Sequence, residues 1–140
     1  MKFIFMKNLL EVEILGRLHP ELKDYWDGNF LNTYIYLFIG GFNAKVNAYL
    51  RCEDFQNFGK AIEKLYDTLK GEAEFTTMEE WLDLKIIGDG KGHFSVKGSL
   101  VDEPGIGNEL LFKYDFDQTN IPLMISNIQK LLNEYSVYGG

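Results

Sequence analysis

The chain has 140 residues and a formal net charge of −7, with 46% hydrophobic and 25% charged residues. These values are close to those of an average globular domain, and they exclude a disordered tail, a collagen-like fibre and a disulfide scaffold. The single cysteine, Cys52, excludes an intramolecular disulfide and a cysteine-based zinc cluster within the chain. We therefore predict one domain over residues 1–140 that folds without a metal or cofactor.

The acidic side chains are concentrated in the second part of the chain. Residues 1–52 contain six basic and five acidic side chains, whereas residues 53–140 contain eight basic and sixteen acidic ones. This balance disfavours nucleic acid as a direct partner and favours a basic protein. No segment reaches the ~18 apolar residues of a membrane helix, and the N-terminus lacks the pattern of a secretory signal. We therefore expect a cytoplasmic protein with no membrane contact.

The first third of the chain has the alternation that is typical of strands. Hydrophobic side chains recur at every second position in the segments Leu10–Ile14, Phe30–Ile39 and Phe42–Leu50. Gly40 and Gly41 separate the last two segments, and this glycine pair predicts a two-residue hairpin turn.

Helical and strand patterns then follow one another. Apolar residues with a period of about 3.6 predict a helix from about Glu53 to Lys70. Four more strand signals follow, at Ala73–Thr77, Leu82–Ile86, Phe94–Leu100 and Leu110–Phe116. A last helix is predicted after Thr119. Because hairpins dominate, we predict an α+β fold with a single, mostly antiparallel sheet of about six or seven strands and two long helices packed on it.

Residues that could carry catalysis or ligand binding have simpler interpretations. The glycine-rich segment Gly88–Gly92 leads into a strand instead of a helix, so we predict an exposed hairpin turn with no ligand role. His19 and His93 are the two histidines, and no metal-ligand spacing joins them. Cys52 is predicted to be a buried apolar residue. We predict no catalytic, metal or cofactor site and no enzymatic activity.

Two stretches combine carboxylates with a tryptophan. One is Asp24–Asp27 in a predicted loop, and the other lies between Gly71 and Leu84, where five acids and Trp81 occur without a basic residue. Such acids can form a solvated edge that discourages strand pairing. They can also form a docking surface in which an aromatic anchor lies among steering charges. The predicted partner-binding residues are Asp24, Trp26, Asp27, Glu72, Glu74, Glu79, Glu80, Trp81 and Asp83.

The same stretches carry a resemblance to a known family. The segments concerned are Asp24–Asn29, Gly71–Phe75, Trp81-Leu82, Gly88–His93, Pro104–Asn108 and Phe116–Thr119. The order and spacing of these segments resemble those of the WapI-type immunity protein family. The resemblance extends from about Asp24 to the final helix. The resemblance implies a small cytosolic bacterial protein that protects its producer by binding a contact-dependent toxin domain, often a nuclease. It implies no site residues, so the binding residues above rest on chemistry alone.

Other functions remain open at this stage. An acidic domain suits an inhibitor of a basic nuclease, because carboxylates can occupy the positions of phosphates. The chief alternative is a small-molecule binding protein that holds an apolar ligand between sheet and helix. A cavity lined by Tyr34, Tyr36, Phe112 and Tyr114 would favour it. A hydrolase is the third possibility, and it would need His93 within hydrogen-bond reach of a buried carboxylate.

Overall fold

The chain forms two blocks of four strands, and an α-helix follows each block. The computed structural model describes residues 1–139. The elements are β1 Lys2–Met6, β2 Leu10–Arg17, β3 Phe30–Ile39, β4 Phe42–Arg51, α1 Cys52–Thr68, β5 Lys70–Phe75, β6 Leu82–Asp89, β7 His93–Val101, β8 Glu109–Asp117 and α2 Ile121–Glu134. Within this part of the chain, no helix is long and apolar enough to cross a membrane.

The strands form two separate four-stranded antiparallel sheets, β1-β2-β3-β4 and β5-β6-β7-β8. The prediction of a single sheet of six or seven strands is therefore wrong. The 17-residue helix α1 separates β4 from β5, and β5 pairs with β6 instead of extending the first sheet. Strand β1, which buries Phe3 and Phe5 in the core, is not among the strands predicted from the sequence.

Both glycine turns predicted from the sequence are confirmed as hairpin turns. Gly40 and Gly41 join β3 to β4. In the exposed turn between β6 and β7, Gly90 and Gly92 have φ angles of 85° and 95°, and residues with a Cβ rarely adopt such angles. The Asp89 carboxylate accepts backbone hydrogen bonds across this turn. These local interactions fix the turn.

One hydrophobic cluster joins the two sheets and both helices. Its centre is a group of aromatic rings with centroids 4.7 to 5.7 Å apart, formed by Phe3, Phe5, Phe55, Phe58 and Phe75. Most of these pairs meet edge to face, which is a favourable arrangement for aromatic quadrupoles. Burial of each ring stabilises the fold by roughly 1.5 to 3 kcal/mol. The ring cluster therefore holds β1, α1 and β5 together.

The loop over residues 18–29, between β2 and β3, is tied to the end of the chain. The Asn29 side-chain amide donates to the Tyr138 carbonyl at 3.1 Å, and the Tyr138 N–H donates to Asn29 Oδ1 at 2.8 Å. The Arg17 guanidinium donates to the carbonyls of Gly28 and Ser136, each at 2.8 Å. Residues 136–138 therefore hold the loop against the body of the protein.

Candidate functional site

Parts of the two acidic stretches meet at a cavity of about 300 Å³. Tyr25 reaches it from loop 18–29, and Glu74 reaches it from β5. The first turn of α1 adds Glu53 and Asp54 to the lining. We call this the acidic cavity, and its lining residues are Tyr25, Arg51, Glu53, Asp54, Asn57, Glu74, Thr76, Thr77 and Met78.

Arg51 organises one wall of the acidic cavity. It ends β4 and is only 2% exposed. Its guanidinium pairs with the Glu53 carboxylate and donates to the Tyr25 carbonyl at 2.6 Å. It also lies 5.1, 5.8 and 5.0 Å from the ring centroids of Tyr25, Trp26 and Phe30, within the range of cation–π attraction. Arg51 thus connects loop 18–29 to the start of α1.

Asp54 is a half-buried carboxyl group at the N-terminus of α1. Its side chain accepts the backbone N–H of Arg51 at 2.9 Å, which satisfies one of the free donors at the helix start. Burial raises the pKa of Asp54 to about 7, and the negative charge on Glu53 acts in the same direction. The hydrogen bond from the Arg51 backbone opposes this shift of the pKa. Near neutral pH, Asp54 therefore changes charge within the acidic cavity.

Asp54→Asn should change how stability depends on pH. The folded chain holds the Asp54 proton up to about pH 7, whereas the unfolded chain releases it near 3.8. Because the pKa of Asp54 is higher in the folded chain, protonation contributes to the free energy of unfolding below about pH 4. This contribution is lost as the pH rises to about 7. At pH 8 we expect the variant to be more stable than the parent, on the order of 1 kcal/mol. Near pH 4 the variant and the parent should be equally stable.

Urea unfolding at pH 4 and pH 8 measures this difference. Asp67→Asn, at an exposed position of α1, is the matched control and should change stability equally little at both values. If Asp54→Asn and the parent differ in free energy of unfolding by the same amount at pH 4 and pH 8, the pKa of Asp54 is not raised.

The two tryptophans of the predicted binding set lie in different environments. Trp26 is 65% exposed beside Arg51, and Met78, also exposed, lines the acidic cavity. Trp81 is only 8% exposed, and its ring packs edge-on against Tyr49 with centroids 6.1 Å apart. Of the two tryptophans, Trp26 is therefore the exposed one, and it lies beside Arg51 of the acidic cavity.

Some of the predicted acids gather at one end of the second sheet. Burial raises the pKa of Asp83, and the charges of Glu80, Glu109 and Glu74 raise it further. Glu109 begins β8 and is not among the predicted binding residues. We define the acidic surface as Asp83, the three acids that act on it, the acids of the cavity and Glu79. Its members are Glu53, Asp54, Glu74, Glu79, Glu80, Asp83 and Glu109.

The remaining predicted residues have local partners or lie apart from this surface. The Glu72 carboxylate is 3.6 Å from Lys85 Nζ on the outer face of the second sheet. The Asp24 carboxylate accepts the backbone N–H of Asp27 at 3.1 Å, which shapes loop 18–29. Both aspartates are exposed. Binding by any of the predicted residues stays a prediction, because geometry alone does not identify a partner.

Sequence reasoning missed Glu53, Asp54 and Glu109 for two reasons. Glu53 and Asp54 follow directly on a strand and begin a helix, and acids at that position are common because they compensate the helix dipole. Glu109 is distant in sequence from the other acids, and only the β6–β7–β8 pairing brings it near Asp83. Counting acids in separate stretches therefore could not define the complete surface.

The four aromatic residues proposed for an apolar ligand do not face one another. Tyr34 and Tyr36 are on the outer face of the first sheet, alternating with buried residues of β3. Phe112 and Tyr114 are buried side chains of β8 in the second sheet. The cavity that would favour a small-molecule binding protein is not formed by these residues.

His93 lines an open cavity of about 640 Å³ with Asp89 and Asp117. All three residues are exposed. The Asp89 carboxylate accepts backbone N–H groups of its turn, and the Asp117 carboxylate accepts hydrogen bonds from Thr119. The hydrolase hypothesis requires a buried carboxylate that is hydrogen-bonded to the His93 imidazole. Neither of these two carboxylates is buried, and neither is hydrogen-bonded to the imidazole. Over residues 1–139, no group of three or more side chains is arranged to hold a metal ion.

The class of protein described by this geometry is a small acidic protein of two antiparallel sheets. The model of the immunity protein WapI-like family matches residues 4–136, nearly the whole chain. The chain therefore belongs to the immunity protein WapI-like family, which confirms the resemblance seen in the sequence. Membership gives the protein an immunity role and implies a toxin protein as its partner.

Other comparisons add little. No curated protein matches the chain. Among solved structures, the chain is similar to one from "trypanosoma bruciei", described as crystal structures of MRP1/MRP2. The identity is 11% and the TM-score is 0.47, over 89% of this chain and 74% of that chain. At this TM-score, the likeness supports no conclusion about fold or function.

Proposed function

We propose that the protein neutralises a basic toxin domain, of the nuclease type, by binding it through the acidic surface in the cytoplasm. The observation that carries the proposal is the meeting of Glu53, Asp54 and Glu74 at one cavity beside an exposed tryptophan. Protection by an immunity protein requires binding of the toxin and no chemistry of its own.

The electrostatics of the acidic surface favour a cationic partner. Like charges crowd around Asp83, and together with its burial they raise its pKa. A lysine or arginine of the partner would relieve this repulsion, and it would also favour the ionised form of Asp54. A nuclease has such basic residues where it holds phosphates, so carboxylates of the immunity protein can take the phosphate positions.

Trp26 is suited to anchor the complex. Interface energy is concentrated in a few aromatic or arginine side chains near the centre, with charged residues around them. Trp26 is largely exposed, and it is held by the loop contacts of Tyr25 and Arg51 on one side. A ring that is already positioned loses little side-chain entropy when a partner covers it.

Charge reversal on this surface tests the proposal. Glu79→Lys with Glu80→Lys should slow association with the cognate toxin domain roughly tenfold and weaken its salt dependence, because exposed charges act mainly on the encounter rate. Trp26→Ala should instead speed dissociation, at a cost of about 2 kcal/mol in affinity. Association and dissociation rates over a salt series measure both effects.

The control is Glu63→Lys with Asp67→Lys, which reverses two exposed charges on α1. It should have a smaller effect on association because these positions lie outside the acidic surface. If both charge-reversed proteins fold and bind the toxin with the parent's rates, the toxin binds another face and the proposal fails.

A further inference from the structure

Strand β8 is an edge of the second sheet with one side uncovered. Its residues Glu109–Asp117 pair with β7 in an unbroken antiparallel register, and over residues 1–139 no strand pairs with its other side. Natural edge strands are often protected by a bulge, a proline or a short length. The nine residues of β8 contain neither a proline nor a bulge. This edge can therefore accept another strand.

The free backbone groups of β8 belong to every second residue. The Asp102 N–H donates to the Asn108 carbonyl at one end of the β7–β8 ladder, and the Gln118 N–H donates to the Gly92 carbonyl at the other end. Because hydrogen-bonded pairs alternate along an antiparallel ladder, the even-numbered residues of β8 bond to β7. The N–H and C=O groups of the odd-numbered residues therefore point to the uncovered side. These residues are Glu109, Leu111, Lys113, Asp115 and Asp117.

The odd-numbered residues also present an exposed apolar side chain between opposite charges. Leu111 is 72% exposed, although it lies within a strand. Glu109 and Lys113 are exposed two residues to either side of it. An antiparallel second copy of β8, with Leu111 on a two-fold axis, would place Lys113 of each copy opposite Glu109 of the other. In this register the edge is complementary to itself in both apolar contact and charge.

We propose that β8 pairs with β8 of a second copy of this chain, antiparallel and centred on Leu111, to form a symmetric dimer. The two second sheets then become one continuous sheet, and backbone hydrogen bonds join residues 109, 111 and 113 of the two copies. Glu74 of the acidic cavity lies on β5, at the opposite edge of the sheet. The dimer therefore leaves the acidic cavity uncovered, and the proposal does not depend on toxin binding.

Other pairings of a long edge strand with itself are less complementary. Centring the pairing of β8 on Lys113 would set two lysines against each other and Glu109 against Asp117. A shift that brings Lys113 opposite Asp115 would place the apolar Leu111 against a carboxylate. The other long edge strand, β4, has no acidic side chain among its ten residues. It therefore cannot form ion pairs with a second copy of itself.

Sedimentation equilibrium of the protein without toxin, from about 10 μM to about 1 mM, measures the dimer. One strand from each copy makes a small interface, so we expect weak association within this range. Hydrogen exchange followed by NMR reports the register. The amides of residues 109, 111 and 113 should exchange more slowly as the protein concentration rises, whereas those of residues 115 and 117 should not change.

Charge variants distinguish a second copy from any other occupant of this edge. Lys113→Glu should weaken dimerisation about tenfold, because both ion pairs become repulsive, and Glu109→Lys should do the same. The double variant Glu109→Lys with Lys113→Glu exchanges the charges within each pair, so its dissociation constant should return to within about threefold of the parent's. Lys97→Glu, one strand inside the edge, is the matched control and should change this constant by less than about twofold.

The thermal midpoint separates loss of the dimer from loss of folding. Lys113 is opposite Lys97 in the sheet, so Lys113→Glu replaces a repulsion within the chain by an attraction, and the midpoint should not fall. Leu111→Lys would set two lysines against each other on the axis and should weaken the dimer. The proposal is wrong if the protein is monomeric up to about 1 mM, if the double charge variant associates as weakly as the single ones, or if Leu111→Lys strengthens association.

Discussion

Replacement of Arg51 by methionine is expected to lower the free energy of unfolding by about 3 kcal/mol. The side chain is almost fully buried, so its loss leaves the Glu53 carboxylate without its ion pair. It also removes a hydrogen bond to the Tyr25 carbonyl and the cation between three aromatic rings. Urea denaturation at pH 7 measures the loss.

Two further variants identify the cause of this loss. Adding Glu53→Gln to Arg51→Met should recover part of the stability, because the unpaired buried charge is then absent. Lys45→Met removes an exposed cation from the outward side of the same strand, where its Nζ lies 4.4 Å from the ring centroid of Tyr34, and it should change stability by about 1 kcal/mol at most. A loss below about 1 kcal/mol for Arg51→Met would show that the buried ion pair is not important for folding.

Trp81→Ala is expected to lower the free energy of unfolding by about 3 kcal/mol, the range for large aromatic side chains removed from a core. Its ring is buried against Tyr49, and its loss leaves a cavity beside the β5–β6 connection. At a temperature where the variant is folded, the dissociation rate of the toxin should be close to that of the parent protein.

Trp26→Ala is the matched change at an exposed tryptophan. We expect it to cost less than about 1 kcal/mol of stability, because most of its ring already contacts solvent. Thermal unfolding and dissociation kinetics of both variants give the comparison. If Trp81→Ala preserves stability and releases the toxin faster, then Trp81 is the anchor and the assignment to Trp26 is wrong.

The sequence predicts individual elements better than it predicts their assembly. The alternation in β3 and β4, the Gly40-Gly41 turn and the 3.6-residue period of α1 are local features, and local geometry follows from them. The division into two sheets depends on β5 pairing with β6 instead of with a strand of the first sheet. Periodicity identifies a strand but does not specify the strand that pairs with it. The division into two sheets therefore cannot be predicted from periodicity alone.

Strand β1 shows a different limit of sequence reasoning. Phe3 and Phe5 are buried, but the alternating partners Ile4 and Met6 are also apolar and half-buried. The segment therefore lacks the polar face that marks β2, where Glu11 and Glu13 separate buried residues. A short strand between two partly covered faces gives little periodic signal.

The candidate site was only partly predictable for a related reason. Composition identified the acidic stretches and both tryptophans. It could not show that Trp81 is buried while Trp26 is exposed, because both lie beside carboxylates in the sequence. Nor could it place Glu53 next to Tyr25, which are 28 residues apart and joined by a hydrogen bond between their side chains. Such proximity arises only when loop 18–29 folds onto α1.

Asn29 and Tyr138 are 109 residues apart, so a growing polypeptide cannot fasten loop 18–29 until Tyr138 has emerged from the ribosome. The hairpins of each sheet join neighbouring segments of the chain, and they can form earlier during synthesis. The contacts of Tyr25 with Arg51 and Glu53 can form earlier, because all three residues lie in the first half of the chain. Incomplete chains that end before residue 136 would contain both sheets and yet lack the hydrogen bonds from residues 136–138 to Arg17 and Asn29. The tie between loop 18–29 and the end of the chain is thus among the last long-range contacts that synthesis allows.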